Sequence, residues 1–261
     1  MFFDRFFKRN RPQDVPPSTG GRLVYAVGDV HGRLDALEPL LRQVAEDYML
    51  VRPAEPAKLV FLGDYLDRGP DSKRVVDLVL GMRGHPEFEV RALKGNHEEA
   101  LLHFLEDPPF GAQWMEHGGG PTLVSYGVQP PPTRTDNDAW AKTAEELKAA
   151  IPEAHMSFFR ELELMVTVGD YAFVHAGVRP GVPLDQQVER DLLWIRQEFI
   201  AEKGPHPKVI VHGHTPNEEA QLTRWRLGVD TGCYATGLLT AVRLMDQEQR
   251  LIQARAVRRL A

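Results

Sequence analysis

Five short segments of this 261-residue chain carry Asp, His and Asn in the pattern that a binuclear metal site needs. They are Gly28-Asp29-Val30-His31-Gly32, Gly63-Asp64-Tyr65-Leu66-Asp67-Arg68-Gly69, Gly95-Asn96-His97-Glu98, Val174-His175-Ala176-Gly177 and His212-Gly213-His214. Carboxylate, imidazole and amide donors without a thiolate suit Mn, Fe or Zn better than a soft metal. Two such ions about 3.5–4 Å apart can share a carboxylate, activate water and clamp a phosphoryl group. A lone Asp-x-His is a turn more often than a site; five such segments in order argue for chemistry.

Each segment needs an element to position it. Leu23–Val27, Leu59–Leu62, Val90–Leu93, Tyr171–Val174 and Val209–Val211 are short apolar runs. They are expected to be buried strands with polar tips. Helices are expected after the first three, over Leu34–Leu50, Ser72–Met82 and Glu98–Leu105. The first three strands start roughly 30 residues apart, the length of a βαβ unit. In such folds ligands sit beyond the carboxyl ends of the strands, so distant residues can converge on one edge. Glycines flanking the acidic turns permit positive φ and close backbone approach.

The first three segments resemble the three signatures of the phosphoprotein phosphatase family, in its bacterial and phage-type branch. That family lies within the calcineurin-like metallophosphoesterases. Val174–Gly177 and His212–His214 resemble its two later histidine segments, and the likeness spans residues 22–245. It implies an α+β fold: a four-layer α/β/β/α sandwich of two mixed sheets with outer helices. It implies two divalent metal ions, Mn favoured and Fe or Zn acceptable. Asp29 and His31 would hold the first metal, Asp64 would bridge, and Asn96, His175 and His212 would complete the second. His97 would be the general acid, held by Asp67, while a metal-bridging hydroxide attacks phosphorus. A carboxylate beside an imidazole favours the charged ring, which keeps a proton available. Arg68 would bind phosphate through its planar fork. Arg196 is the better candidate for a second phosphate arginine and Arg179 the runner-up. Tyr234 is expected at the cleft rim, and His214 as a group orienting a ligand.

The leading expectation is a protein serine/threonine phosphatase acting on phosphorylated proteins or peptides, extending to phosphotyrosine. The alternatives are a symmetrical dinucleoside tetraphosphate hydrolase, another small-molecule phosphoesterase, and a non-catalytic metal-binding scaffold. Dinucleoside tetraphosphatases resemble the chain over the same motifs. They often lack an acid at the place of Asp67 and read Gly-Asn-His-Asp where Glu98 stands, which favours the protein phosphatase.

Composition agrees with one catalytic domain over 22–261. Apolar content of 43% and charged content of 26% are ordinary for a globular chain. A net charge of −6 argues against general nucleic-acid binding. The single cysteine, Cys233, excludes a disulfide framework and fits a reducing cytoplasm. No run of 18 apolar residues supports a membrane span. Residues 1–21 read as a basic and aromatic tail with a flexible linker from Pro12, suited at most to weak peripheral membrane contact. Residues 108–160 read as a cap-like insertion, with helices over Ala139–Ile151 and Pro152–Glu163. Gly118–Gly120 and Pro130–Pro132 interrupt it, and Trp114, Tyr126 and Trp140 flank the interruption. Leu238–Leu244 and Arg250–Val257 read as a closing hairpin. His103, His117, His155 and His206 lie outside the motifs and are expected on the surface or in packing.

Overall fold

The computed structural model describes residues 15–257. Its strands are β1 (Leu23–Val27), β2 (Ala57–Phe61), β3 (Phe88–Ala92), β4 (Met165–Val168), β5 (Tyr171–Val174), β6 (Val209–His212), β7 (Gln221–Leu222), β8 (Arg226–Gly228), β9 (Leu238–Met245) and β10 (Glu248–Arg255). The helices are α1 (Leu34–Val51), α2 (Ser72–Met82), α3 (Asn96–Glu106), α4 (Gly111–Glu116), α5 (Gly120–Ser125), α6 (Asn137–Ala150), α7 (Glu153–Glu161), α8 (Glu189–Trp194), α9 (Gln197–Ile200) and α10 (Cys233–Thr236). One sheet has the order β10-β9-β1-β2-β3 and the other β4-β5-β6-β8-β7. Both are mixed: β1, β2 and β3 run parallel while β9 is antiparallel to β1, and β5, β6 and β8 run parallel between antiparallel edges.

Side-chain alternation along the strands builds the layers. On β1, Leu23, Tyr25 and Val27 face the helices, whereas Val24 and Ala26 face the second sheet. On β5, Tyr171 and Phe173 meet that inter-sheet core, and Ala172 and Val174 turn outward to Leu192, Ile195 and Phe199 of the α8–α9 segment. Strands apolar on both faces are what a sheet covered on both sides requires. The result is the expected α/β/β/α sandwich of two mixed sheets. Each fully buried Val, Leu, Ile or Phe adds roughly 1.5–3 kcal/mol over exposure.

Local chemistry fixes the ends of these elements. Pro39 lies inside α1 and cannot donate to the Asp35 carbonyl. Val257 N–H fills that acceptor at 3.2 Å, tying the chain after β10 to the helix.

Two expectations change. The linker expected to reach Gly21 is docked from Ser18: Ser18 N–H donates to Asp170 Oδ2 at 3.0 Å, and buried Thr19 bonds the Asp246 carbonyl at 3.2 Å. The expected tail residues 1–14 lie outside the described residues. Within the insertion, α4 and α5 surround the Gly118–Gly120 run, which reads as a break in sequence. Gly119 sits against the Trp114 indole and Gly118 against Arg68, so these glycines serve close packing. Among the described residues no helix is long and apolar enough to cross a membrane.

Candidate metal and phosphate site

The turns after β1 and β2 are bound together before any ligand is considered. The Asp64 carbonyl accepts from Val30 N–H at 3.1 Å and His31 N–H at 2.8 Å. The fully buried Glu98 carboxylate accepts from the backbone N–H groups of Asp64 (2.9 Å), Tyr65 (2.8 Å), Leu66 (3.3 Å) and Gly95 (3.0 Å). One side chain at the start of α3 therefore sets both the helix cap and the turn presenting Asp64. His31, Asp64, Asp67, Arg68 and His214 all have positive φ. Backbone strain in non-glycine residues is thus concentrated here, as at many functional sites. A Cβ on Gly95 would overlap Asp64 Oδ1, and one on Gly213 would overlap Asp29 Oδ1.

Two groups of donors meet at Asp64: His31, Asp64 and His97, and Asp64, His175 and His214, with the ligand atoms of each within 4.8 Å of one another. His31 Nε2 lies 3.5 Å from Asp64 Oδ2, and His175 Nε2 lies 3.5 Å from Asp64 Oδ1. Asn96 Oδ1 is 2.9 Å from His175 Nε2 and 2.8 Å from His214 Nδ1. Asp29 Oδ2 accepts His214 N–H at 2.9 Å. His31 Nδ1 and His175 Nδ1 each lie 2.8 Å from a backbone carbonyl, of Leu66 and Leu62. Donation there fixes the tautomer and turns an Nε2 lone pair inward. Burial pushes the His31 pKa down to about 3 and lowers those of His175 and His214, which favours the neutral form that a ligand needs. Burial also acts to raise Asp64, but His175, His97, His31 and His214 outweigh it and hold the group well below the usual carboxylate range. Asp29 is raised, by burial first and then by Asp230 and Asp64.

For one ligand position the geometry favours a different ring from the expected His212. His212 ends β6 with its ring edge-on to Phe199 at a centroid distance of 5.0 Å. Its Nε2 lies 3.1 Å from where a Gly228 Cβ would stand. His214, two residues on and past the end of the strand, is the ring that reaches Asp64 and His175. His214→Ala is expected to lose one of two cations, and His212→Ala to keep both. Metal analysis after gel filtration reads this, and the opposite pattern would restore His212 as the ligand.

On the phosphate side, His97 Nδ1 is 2.6 Å from Asp67 Oδ2. Asp67 is itself held by Trp114 Nε1 at 2.8 Å and Thr122 Oγ1 at 2.6 Å. Burial works against a charged His97, yet Asp64 and Asp67 outweigh it and its pKa lies above the ordinary value. Arg68 reaches His31 Nε2 at 3.0 Å and His97 Nε2 at 3.1 Å, with its guanidinium 4.4 Å from the Tyr234 ring centroid. Tyr234 is also edge-on to His31, which places it at the rim. Arg196 is exposed, and its charge is felt by His175 and His214. Arg179 instead makes two 2.6 Å bonds to Asp191, which take up the fork that phosphate would need.

Sequence reasoning missed several residues that shape the site. Asp230 is buried beside Asp29 and follows an apolar run, the same signal that marks Asp29 and Asp64. Glu98 carried a helix-cap signal. Trp114 and Thr122 carried none. His103 and His117 line a cavity beside His97, with Phe110, Gln113 and Trp194.

The donor set fits a pair of divalent cations. It is all oxygen and nitrogen, and Asp29 Oδ1, His214 Nε2 and also His212 Nε2 are buried without a hydrogen-bond partner among the described residues. Cys233 is buried and its thiol is pushed up to about 12, so it is no thiolate ligand.

The family model for calcineurin-like phosphoesterases matches residues 23–241. An asymmetrical bis(5'-nucleosyl)-tetraphosphatase, PrpE, from Anoxybacillus flavithermus is 26% identical over 242 residues, covering 85% of this chain and 90% of the relative. Its namesake from Bacillus thuringiensis is 26% identical over 243 residues, with the same coverage. Among solved structures, one provisionally assigned as a diadenosine tetraphosphatase superposes with a TM-score of 0.64 at 21% identity, covering 94% of this chain and 100% of its own. A protein serine/threonine phosphatase from Saccharomyces cerevisiae superposes with a TM-score of 0.51 at 14% identity, covering 92% and 81%. At such identities the superpositions speak for the fold alone.

Proposed function

Because the chain belongs to the calcineurin-like phosphoesterase family, we propose that it hydrolyses dinucleoside tetraphosphates. The observation that carries the reaction is the His97–Asp67 pair, 2.6 Å apart, beside a carboxylate shared by two metal-competent groups. Support for the substrate comes from the PrpE relatives along 85% of the chain. They are named for asymmetrical cleavage, which would release a mono- and a triphosphate, whereas the alternative weighed from the sequence is symmetrical cleavage. A second reading, a phosphoprotein phosphatase, is favoured by the acid at Asp67 and by Glu98 in Gly-Asn-His-Glu.

Divalent cations held by Asp29, His31, Asp64, Asn96, His175 and His214 would lower the pKa of water and neutralise phosphoryl charge; Mn, Fe and Zn all suit these donors. The chain's own residues do the rest. Arg68 and Arg196 bind equatorial oxygens of the phosphoryl group and hold it in line. A water oxygen bonds to phosphorus as the bond to the leaving oxygen breaks, and the electron pair departs on that oxygen. One water proton stays on the new phosphate hydroxyl, and the other passes to solvent, which later reprotonates His97. His97 delivers the proton that the leaving oxygen takes up, and Asp67 keeps the ring aimed. Phe110, Gln113 and His117 of the 108–160 segment border the cavity beside His97 and would shape what enters.

Arg196→Ala is expected to raise KM by roughly tenfold to a hundredfold, the worth of one charge-assisted hydrogen bond, while kcat changes little. Steady-state kinetics reads this, and an unchanged KM would remove Arg196 from phosphate binding. The substrate is tested on one Mn-loaded preparation by comparing diadenosine tetraphosphate with phosphoseryl, phosphothreonyl and phosphotyrosyl peptides. Faster dinucleotide turnover supports the first reading, and faster peptide turnover replaces it with the second.

A further inference from the structure

A cavity of about 180 Å³ adjoins His97 and is lined by His97, His103, Phe110, Gln113, His117 and Trp194, among others. Its position follows from α3. His97 and Ala100, and Ala100 and His103, are neighbours one turn apart, and all three border the cavity. His97 Nδ1 is occupied by Asp67, which leaves Nε2 to face the reacting centre. A general acid protonates the leaving oxygen. Whatever hangs from that oxygen therefore lies on the His97 side of the site, where this cavity opens.

The lining selects a chemistry. Phe110 stacks on His103 with centroids 4.2 Å apart and planes 23° apart. Trp194 is 42% exposed, and its indole N–H donates to Glu99 Oε2 at 2.5 Å. That bond both orients the indole and occupies the one carboxylate that borders the cavity. Gln113 and His117 add exposed polar groups. The volume is below the 300–1,000 Å³ typical of whole-ligand pockets, so the cavity admits a single ring system. Flat π faces with a few polar groups hold planar rings by stacking.

We propose that this cavity is a leaving-group subsite for a planar aromatic ring. The inference rests on the hydrolytic reading above, in which His97 serves the leaving group. Two sources offer the same ring chemistry, the nucleobase of a nucleotide and the phenol ring of an aryl phosphate.

The test uses the full metal-loaded chain as wild type, Trp194→Ala and Trp194→Phe. Each is assayed with diadenosine tetraphosphate, phenyl phosphate and glycerol 2-phosphate. In Trp194→Ala the kcat/KM advantage of ring-bearing substrates over glycerol 2-phosphate is expected to shrink on the order of tenfold, the scale of one lost stacking contact. Trp194→Phe should restore most of it. Shrinkage on the dinucleotide identifies the ring as a base; shrinkage on phenyl phosphate alone identifies it as a phenol. An equal fall on all three substrates, or none, overturns the subsite. Calorimetry decides independently of turnover. AMP and phenyl phosphate should each be compared with ribose 5-phosphate, and at least one ring should add affinity in the wild type that Trp194→Ala loses. A chain that hydrolysed none of the three substrates would sink the hydrolytic reading, and the calorimetry would still settle the subsite.

Discussion

Asp64→Asn is expected to bind one divalent cation where the native chain is expected to bind two, and to lose on the order of a thousandfold or more in kcat/KM. Asp64 belongs to both donor groups, with His31 and His97 on one side and His175 and His214 on the other. An amide keeps the shape and removes the charge on which both groups depend. Each metal contributes several kcal/mol of charge stabilisation in the transition state, and about 1.4 kcal/mol is a decade of rate. The fold should survive, since Glu98 holds the turn through backbone N–H groups and not through the Asp64 side chain. Metal analysis, kinetics and a melting curve on the same sample check this. Two retained cations with full activity would mean that Asp64 bridges nothing.

The sequence made the architecture legible where period and burial coincide. The apolar runs ending at Val27, Phe61 and Val174 are strands buried on both faces, and such runs need helices or a second sheet on each side. The site was legible for a related reason: glycine-flanked acids at strand tips have few uses other than ligation. What was not legible includes partners set by distant pairing and choices set by the exact end of a strand. Asp67 is held by Trp114 and Thr122, 47 and 55 residues away, and no local spacing encodes that. His212 and His214 are separated by one glycine, and the choice between them depends on where β6 ends and the chain bends into positive φ at His214. Arg196 ranks above Arg179 for phosphate in the sequence, and the fold adds the physical reason, Asp191 beside Arg179.

His97→Asn is expected to keep both cations and to slow turnover by about 10²–10⁴ for alkyl leaving groups, the usual worth of a general acid. For a p-nitrophenyl leaving group, which departs without a proton, the penalty should nearly vanish. The variant decides between two readings of one side chain. His97 lies near enough to His31 and Asp64 to be a ligand itself. Against that, its Nδ1 is committed to Asp67, and its pKa is raised where those of His31, His175 and His214 are lowered. A ligand must give up its proton, and His97 is the one ring in the cluster whose surroundings favour keeping it. An Asn side chain can still donate to Asp67, and Trp114 and Thr122 continue to hold that carboxylate, so loss of the ring leaves no buried charge stranded. If His97→Asn shed metal as completely as Asp64→Asn, with an equal rate loss on every leaving group, His97 would be a ligand and the proton would have to come from elsewhere.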